Sequence, residues 1–475
     1  MGSAKEVSLA GAKNASITGR PQTGTIRIYW DSGERGAGTL IAGGGRGVSP
    51  TMPVRVRWLL IFLLFLAGMI NYLDRSALSV AAPLLTRDLG LDPAQLGVVF
   101  SSFFFGYALF CFVGGYASDR FGPKRVLLVS MTVWSIFCGL TAAADGIAFL
   151  VIVRVIFGMG EGPFSSTINK MIGQWFPRRE QATAVGLANA GTPIGGAIAG
   201  PIVSYLAVAS GWRTSFIVIA VINLFWMAAW VILSTDRPQQ HRRMSSAELQ
   251  EIGADRGEAT SCAALPLGDY LRRPAILATA FAFFGYAYLL YFFLTWFPTY
   301  LTMAHHLSVQ RMGLVSVIPW ALGFVGLAGG GFVTDAVYAH TGNALYSRKL
   351  VLVTSLLIAA SCVALAGFAA TVGTAVALMA LSVFFVYLTG TTYWAIILDT
   401  VEQARVGGVG GFVHLIANCA GIVAPLITGF LVKWSGTFVS ALVLAGLFAL
   451  MGALAVVIFV KPSPCNTGAR SRIRS

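Results

Sequence analysis

Charge is what this sequence has least of. Only 11% of its 475 residues are Asp, Glu, Lys or Arg, and 19 of them are acidic. Soluble domains carry about 25% charged residues, so a soluble globular fold is excluded. With 56% apolar residues and a mean hydropathy of +0.75, the chain reads as a polytopic membrane protein, in contact with lipid over most of its length. Cysteine and histidine are few as well. Cys111, Cys138, Cys262, Cys362, Cys419 and Cys465 have neither CxxC nor metal spacing, and the five histidines form no ligand cluster. Neither a disulfide framework nor a metal site is expected. No nucleotide-binding loop and no nucleophile–base pair is present, which argues against an enzyme and against ATP-driven transport; no cofactor is implied. The net charge of +14 would suggest nucleic acid in a soluble chain. Here its distribution explains it better.

What is present is a series of twelve apolar runs, each long enough to span at about 20 residues. They fall near 58–82, 94–116, 125–143, 146–175, 181–207 and 213–234, then near 274–303, 309–336, 348–369, 373–400, 406–433 and 437–460. The expected fold is all-α and integral to the membrane. Residues 1–52, with eleven glycines before position 52 and no apolar periodicity, read as a disordered extension; translation starting at Met52 would omit most of it. Residues 53–235 form a first six-helix bundle, 236–273 a polar linker, 274–461 a second bundle, and 462–475 a basic tail. With the N-terminus placed in the cytoplasm, 26 of the 33 Lys and Arg residues fall on the cytoplasmic side and four on the other. That asymmetry puts both termini inside.

Against this background a handful of charges stand inside apolar runs. Asp74 and Arg75 adjoin in the first run, and Arg154, Glu161 and Lys170 lie in the fourth. Each costs about 2.5–3.5 kcal/mol at the bilayer centre on insertion scales, so the default reading is a substrate or ion pathway; a buried structural ion pair is the bland alternative. Arg75 is the expected anion contact, because a guanidinium stays charged and grips a carboxylate through two parallel hydrogen bonds. Neighbouring residues on a helix diverge by about 100°, so Asp74 needs another partner or a proton. Arg154 and Glu161, seven apart, fall within roughly 20° of one another, and Ser165 continues nearly the same stripe on an ideal helix. A lone mid-helix Glu is a natural proton carrier.

The two halves repeat. Gly114-Gly-Tyr-Ala-Ser-Asp119 is echoed by Gly330-Gly-Phe-Val-Thr-Asp335, and Glu180-Gln-Ala-Thr-Ala-Val-Gly186 by Glu402-Gln-Ala-Arg-Val-Gly-Gly408. A parallel repeat of six-helix halves with a site between them at mid-membrane is the major facilitator architecture. Gly115-Tyr-Ala-Ser-Asp119-Arg120-Phe-Gly122-Pro-Lys124-Arg125 resembles the loop motif of that superfamily, and Arg154-x-x-x-Gly158-x-Gly160 resembles its helix-four motif. More narrowly, Asn71-Tyr72-Leu-Asp74-Arg75, Gly160-Glu161-Gly-Pro163 and Phe292-Phe-Leu-Thr-Trp296-Phe297-Pro298 are similar to the anion:cation symporter family.

The resemblance implies a proton-coupled importer of an organic anion, such as a sugar acid, in a bacterial inner membrane and working as a monomer. It implies that the acids at Asp74 and Glu161 handle protons, with Arg154 beside them, and that Arg75 meets the substrate carboxylate. Tyr72, Tyr107 and Asn418 match substrate-side positions; Thr192, Tyr393 and Trp296 are further candidates, though an interhelical hydrogen bond or a packing role explains each equally well. At Thr192 galactonate-type members carry glutamine, which counts against galactonate. Asp119, Arg120 and Arg125 are expected to gate at the cytoplasmic face. Gly191-x-x-x-Gly195 and Gly196-x-x-x-Gly200 are expected to form the surface on which the halves rock. A proton-coupled exporter of the same fold is the alternative, opposed by Arg75, which repels cationic drugs. A membrane sensor is weaker, since no signalling domain is appended.

Overall fold

The computed structural model describes residues 15–18, 25–30, 38–41, 56–254, 266–401 and 406–461. The basic tail 462–475, most of the extension 1–52, and the side chain of Asp399 with residues 402–405 of the second repeat motif lie outside them. The chain divides into two units, Met1–Val54 and Arg55–Ser475. The first departs from the expectation of disorder in one respect. It carries three short antiparallel strands, β1 (Ala15–Thr18), β2 (Thr25–Trp30) and β3 (Gly38–Ile41), in the order β1-β2-β3. The alternation in Thr25-Ile-Arg-Ile-Tyr-Trp30, of β-branched and aromatic residues, favours a strand.

The second unit holds twelve helices apolar and long enough to cross a membrane. In the first half these are α1 (Val56–Leu89), α2 (Pro93–Phe121), α3 (Pro123–Leu140), α4 (Ile147–Glu161 and Phe164–Trp175), α5 (Arg178–Asn189 and Gly191–Ser210) and α6 (Trp212–Leu233). The second half repeats them as α7 (Pro274–Met303), α8 (Val309–Val315 and Val317–Thr341), α9 (Ala344–Ala366), α10 (Val372–Leu388 and Thr392–Thr400), α11 (Val406–Ser435) and α12 (Val439–Phe459). Helices are the form that satisfies every backbone group without water. Their even number returns both ends of the bundle to one face, here the terminal face.

Four of the spans are interrupted in their hydrogen-bond ladder, and the fourth run, Ile147–Trp175, is one of them. Pro163 has no N–H to give and its ring crowds the preceding turn, so α4 stops at Glu161 and resumes at Phe164. Its counterpart α10 breaks at the corresponding place, between Leu388 and Thr392.

The repeat shows in the helix ends too. Lys124 of α3 reaches the C-terminus of α6, its Nζ donating to the carbonyls of Val231 (2.9 Å) and Ser234 (2.6 Å). Lys349 of α9 does the same for α12, donating to Val457 (2.7 Å) and Val460 (3.0 Å). A cation at a helix C-terminus satisfies orphan carbonyls and opposes the helix dipole.

The halves meet along α5 against α8, α2 against α11, and α1 against α7. Small residues bring the backbones together toward the face opposite the chain ends. A Cβ at Gly200 would overlap the Gly313 backbone, and one at Gly97 would lie 2.7 Å from the Pro425 carbonyl and 3.2 Å from Gly429. Gly196 abuts the indole of Trp320. Only the second of the two expected glycine pairs lies on this seam. Gly191 and Gly195 instead pack on Phe65 and Met69 of α1, inside the first half. At the same face Asp92 caps α2, exchanging 2.9 Å bonds with Gln95, and receives Lys433 Nζ of α11 at 2.9 Å. The Gln95 N–H and then Lys433 hold the Asp92 carboxyl below the usual carboxylate range.

Candidate substrate and ion-coupling site

The charged residues singled out in the first and fourth runs converge in the interior of the first half. Arg75, on α1, donates from Nη2 to Glu161 Oε2 at 2.6 Å and from Nε to the same oxygen at 3.2 Å. Glu161 ends the first segment of α4 and is fully buried. The Asn71 amide of α1 stands beside the same carboxylate. The bond is charge-assisted and therefore among the stronger kinds, in a place where neither ion has water to fall back on.

Asp74 turns away from its neighbour, as helix geometry requires. Its Oδ2 accepts from Asn223 Nδ2 of α6 at 2.9 Å, and the Trp134 indole of α3 stands next to the carboxyl. Arg154 is buried with its guanidinium over the rings of Phe157 (4.6 Å) and Phe103 (5.0 Å), and its Nε makes no hydrogen bond. Four charges, two of each sign, thus share one apolar interior, with one direct ion pair among them. Arg154 and Glu161 share the first segment of α4, and Ser165, half-buried, follows on the second.

Aromatic rings complete the surroundings of Arg75. Its guanidinium lies 4.8 Å from the Tyr107 ring, 4.9 Å from Phe103 and 5.2 Å from Tyr72, and Tyr291 of α7 belongs to the same neighbourhood. Cations over aromatic faces gain electrostatically, more so out of water. Asn418 of α11 accepts the Tyr291 hydroxyl at 2.7 Å and donates to the His414 carbonyl at 2.9 Å. Of the expected substrate contacts, Tyr72 and Tyr107 therefore border Arg75 directly and Asn418 borders it through Tyr291.

Three are placed elsewhere. Thr192 spends its hydroxyl on the Asn189 carbonyl of its own helix at 2.9 Å. Trp296 is fully buried, donates to the Pro425 carbonyl at 3.1 Å, and packs edge-on to Phe100 and Phe438, which makes it part of the closed seam. Tyr393 stacks on Phe283 at 4.4 Å, deep in the second half. At the terminal face Asp119 is paired with Lys170 across α2 and α4, Arg120 lies over the Phe121 ring, and Arg125 is exposed. Asn223, Trp134 and Phe103 were missed from sequence. Asn223 alone left a signal, as an amide inside the sixth apolar run.

The Major Facilitator Superfamily profile matches residues 64–343. The chain belongs to the Major Facilitator Superfamily. Over 418 residues this facilitator is 51% identical to the hexuronate transporter of Bacillus subtilis, a match covering 87% of this chain and 97% of that relative. It is 34% identical to a probable sulfoacetate transporter of Cupriavidus necator, over 86% of this chain and 95% of the relative. It is 32% identical to a probable galactarate/D-glucarate transporter of Escherichia coli, with the same coverage. Among solved structures it is similar to a bacterial homologue of the lysosomal transporter Spinster, with a TM-score of 0.69 at 16% identity, over 87% of this chain and all of that one. That likeness concerns the fold. The facilitator is a transporter and not an enzyme.

Proposed function

We propose that this facilitator imports a sugar acid together with protons across the bacterial inner membrane, acting as a monomer with both termini in the cytoplasm. The observation that carries the proposal is the 2.6 Å bond between Arg75 and Glu161. One guanidinium then serves two carboxylates in turn. While Glu161 is charged it occupies Arg75. A proton on Glu161 removes the ion pair and frees Arg75 for the carboxylate of the substrate; release of the substrate and the proton restores the pair. Substrate and proton are coupled because both act through one cation. Asp74, held by Asn223, is the second acid of the cycle, and Arg154 remains as a fixed positive charge while the carboxylates change state. Asp119, Arg120 and Arg125, with Lys170, act at the cytoplasmic gate.

The sugar-acid class is supported by the 51% identical hexuronate transporter and by the galactarate/D-glucarate relative. The cytoplasmic placement of the termini is supported by the distribution of Lys and Arg. The test is a pH trace on weakly buffered, de-energised cells given pulses of hexuronates, aldarates and simple monocarboxylates. External alkalinisation on a sugar-acid pulse, lost in Glu161→Gln, is the expected result. External acidification would replace symport by antiport and favour export.

A further inference from the structure

We infer that the two halves close over a single water molecule, held by three buried serines at the seam, and that this water bridges the halves while the seam is shut. The inference is independent of which substrate is carried.

The site is a small cavity toward the face opposite the chain ends. Helices α1 and α5 line it from the first half, α7 and α8 from the second. The α5 wall is Gly196 and Gly200, which lets the backbones approach. The space open to the centre of a water molecule is about 10 Å³, which is room for one and no more.

Three serine hydroxyls line this space, all of them buried. Ser79 of α1 donates to the Ser76 carbonyl at 2.9 Å, and Ser316 of α8 donates to the Met312 carbonyl at 2.8 Å. Both have spent their one hydrogen and keep lone pairs to offer. Ser76 differs, because its hydroxyl has no partner among the described residues. A buried hydroxyl in that condition costs free energy that a ligand returns. Pro298 of α7 adds to the acceptors. It has no N–H for the Leu294 carbonyl one turn back, and both residues line the cavity.

One free O–H among several acceptors is a demand that water meets. Its two hydrogens suit Ser79 and Ser316, one on each half, and its oxygen accepts from Ser76; buried waters make about three such bonds. A metal cation is opposed, since no lining residue is acidic and Arg75 adjoins Ser76. An anion would find a single free O–H among the serines. Bridging bonds of this kind are nearly as favourable as direct ones. Ser316 also stands at the joint between the two segments of α8, Val309–Val315 and Val317–Thr341. Movement at that joint parts the bridge, so each opening of the seam releases the water and each closure captures one.

The test is hydroxyl-radical footprinting of the full chain by an X-ray pulse, with H218O mixed in just before it. Phe297 lines the cavity, and Phe100 is buried on the same seam away from it. Phe297 is expected to be oxidised severalfold faster than Phe100 and to take up the heavy isotope more slowly than exposed Trp434. Equal oxidation of the two rings, or isotope uptake at Phe297 as fast as at Trp434, overturns the bound water. The bridge is tested by maleimide labelling of Val80→Cys, a buried cavity residue. Ser76→Ala and Ser316→Ala should each speed labelling about three- to tenfold, the range set by one neutral hydrogen bond, and together no more than either alone. No change, or multiplied effects in the double variant, overturns the bridge. The footprint needs only the unmodified chain, so it stands whether or not a variant folds.

Discussion

Replacing Glu161 by Gln removes one negative charge and keeps the volume, so it isolates the role of the ion pair. In the wild type a substrate carboxylate must displace Glu161 from Arg75, a contact made at 2.6 and 3.2 Å in a fully buried site. A hydrogen bond to a charged group contributes about 1.5–3 kcal/mol. Glutamine still offers an oxygen to Arg75, which leaves roughly half of that advantage to the substrate. Binding in Glu161→Gln should therefore tighten by about three- to tenfold at neutral pH, since each 1.4 kcal/mol corresponds to about tenfold. The pH dependence sharpens the test. If proton uptake on Glu161 frees Arg75, as proposed, wild-type affinity should rise as pH falls, by at most about tenfold per pH unit for one linked proton. In the variant this dependence should largely disappear. Calorimetric titration of a hexuronate into the purified chain at several pH values measures both effects. In proteoliposomes, counterflow should persist while accumulation driven by a pH gradient is lost. Gradient-driven accumulation by Glu161→Gln, or an unchanged pH slope, would refute the argument.

Other parts of the molecule make separate demands. Gly200→Leu places a side chain where the Gly313 backbone now lies, so closure at that face should fail. Transport is lost, and maleimide labelling of Ser79→Cys, a residue lining the small cavity beside Gly196 and Gly200, increases from the side opposite the chain ends. Asn223→Leu deprives Asp74 of the 2.9 Å bond from the amide and should destabilise the detergent-solubilised chain by about 1–3 kcal/mol; Asn223→Ser should recover part of this, as read from thermal unfolding. Lys433→Met removes the exposed partner of Asp92. The Asp92 carboxyl is held below its usual range, so its contribution is present above the unfolded pKa of about 3.9 and is lost only as pH falls through the lowered value. The effect of Lys433→Met on transport rate should accordingly be the same at every pH from about 5 to 8.

The helix count and the halves were legible because lipid imposes one crude rule on every span, and hydropathy reports it. Arg75, Asp74, Arg154 and Glu161 were legible for the same reason, as charges where charge is costly. Their partners were not. Arg75 and Glu161 are 86 positions apart and Asp74 and Asn223 are 149 apart, so pairing depends on which faces of α1, α4 and α6 turn inward together. Periodicity cannot supply this where whole helices are apolar. Gly162-Pro163 announced the interruption in the fourth span, since proline has no N–H to give. The tyrosines of α7 were hidden differently. In Pro274–Met303 the tyrosines look like further apolar residues of a span buried almost throughout, and only the structure separates Tyr286 and Tyr291, which border the site, from Trp296, which seals the seam.

Lys124 and Lys349 give the molecule something like a chassis. Each lysine fastens the start of an outer helix to the end of its neighbour, α3 to α6 and α9 to α12. Two fastened rims follow, one per half, and that of the first half carries Trp134 and Asn223 beside Asp74. A helix such as α4, broken beside its own acid, can then flex at its break without slackening the rim around it. If a proton on Glu161 drives transport as proposed, the fastened rims would carry the movement to the seam between the halves.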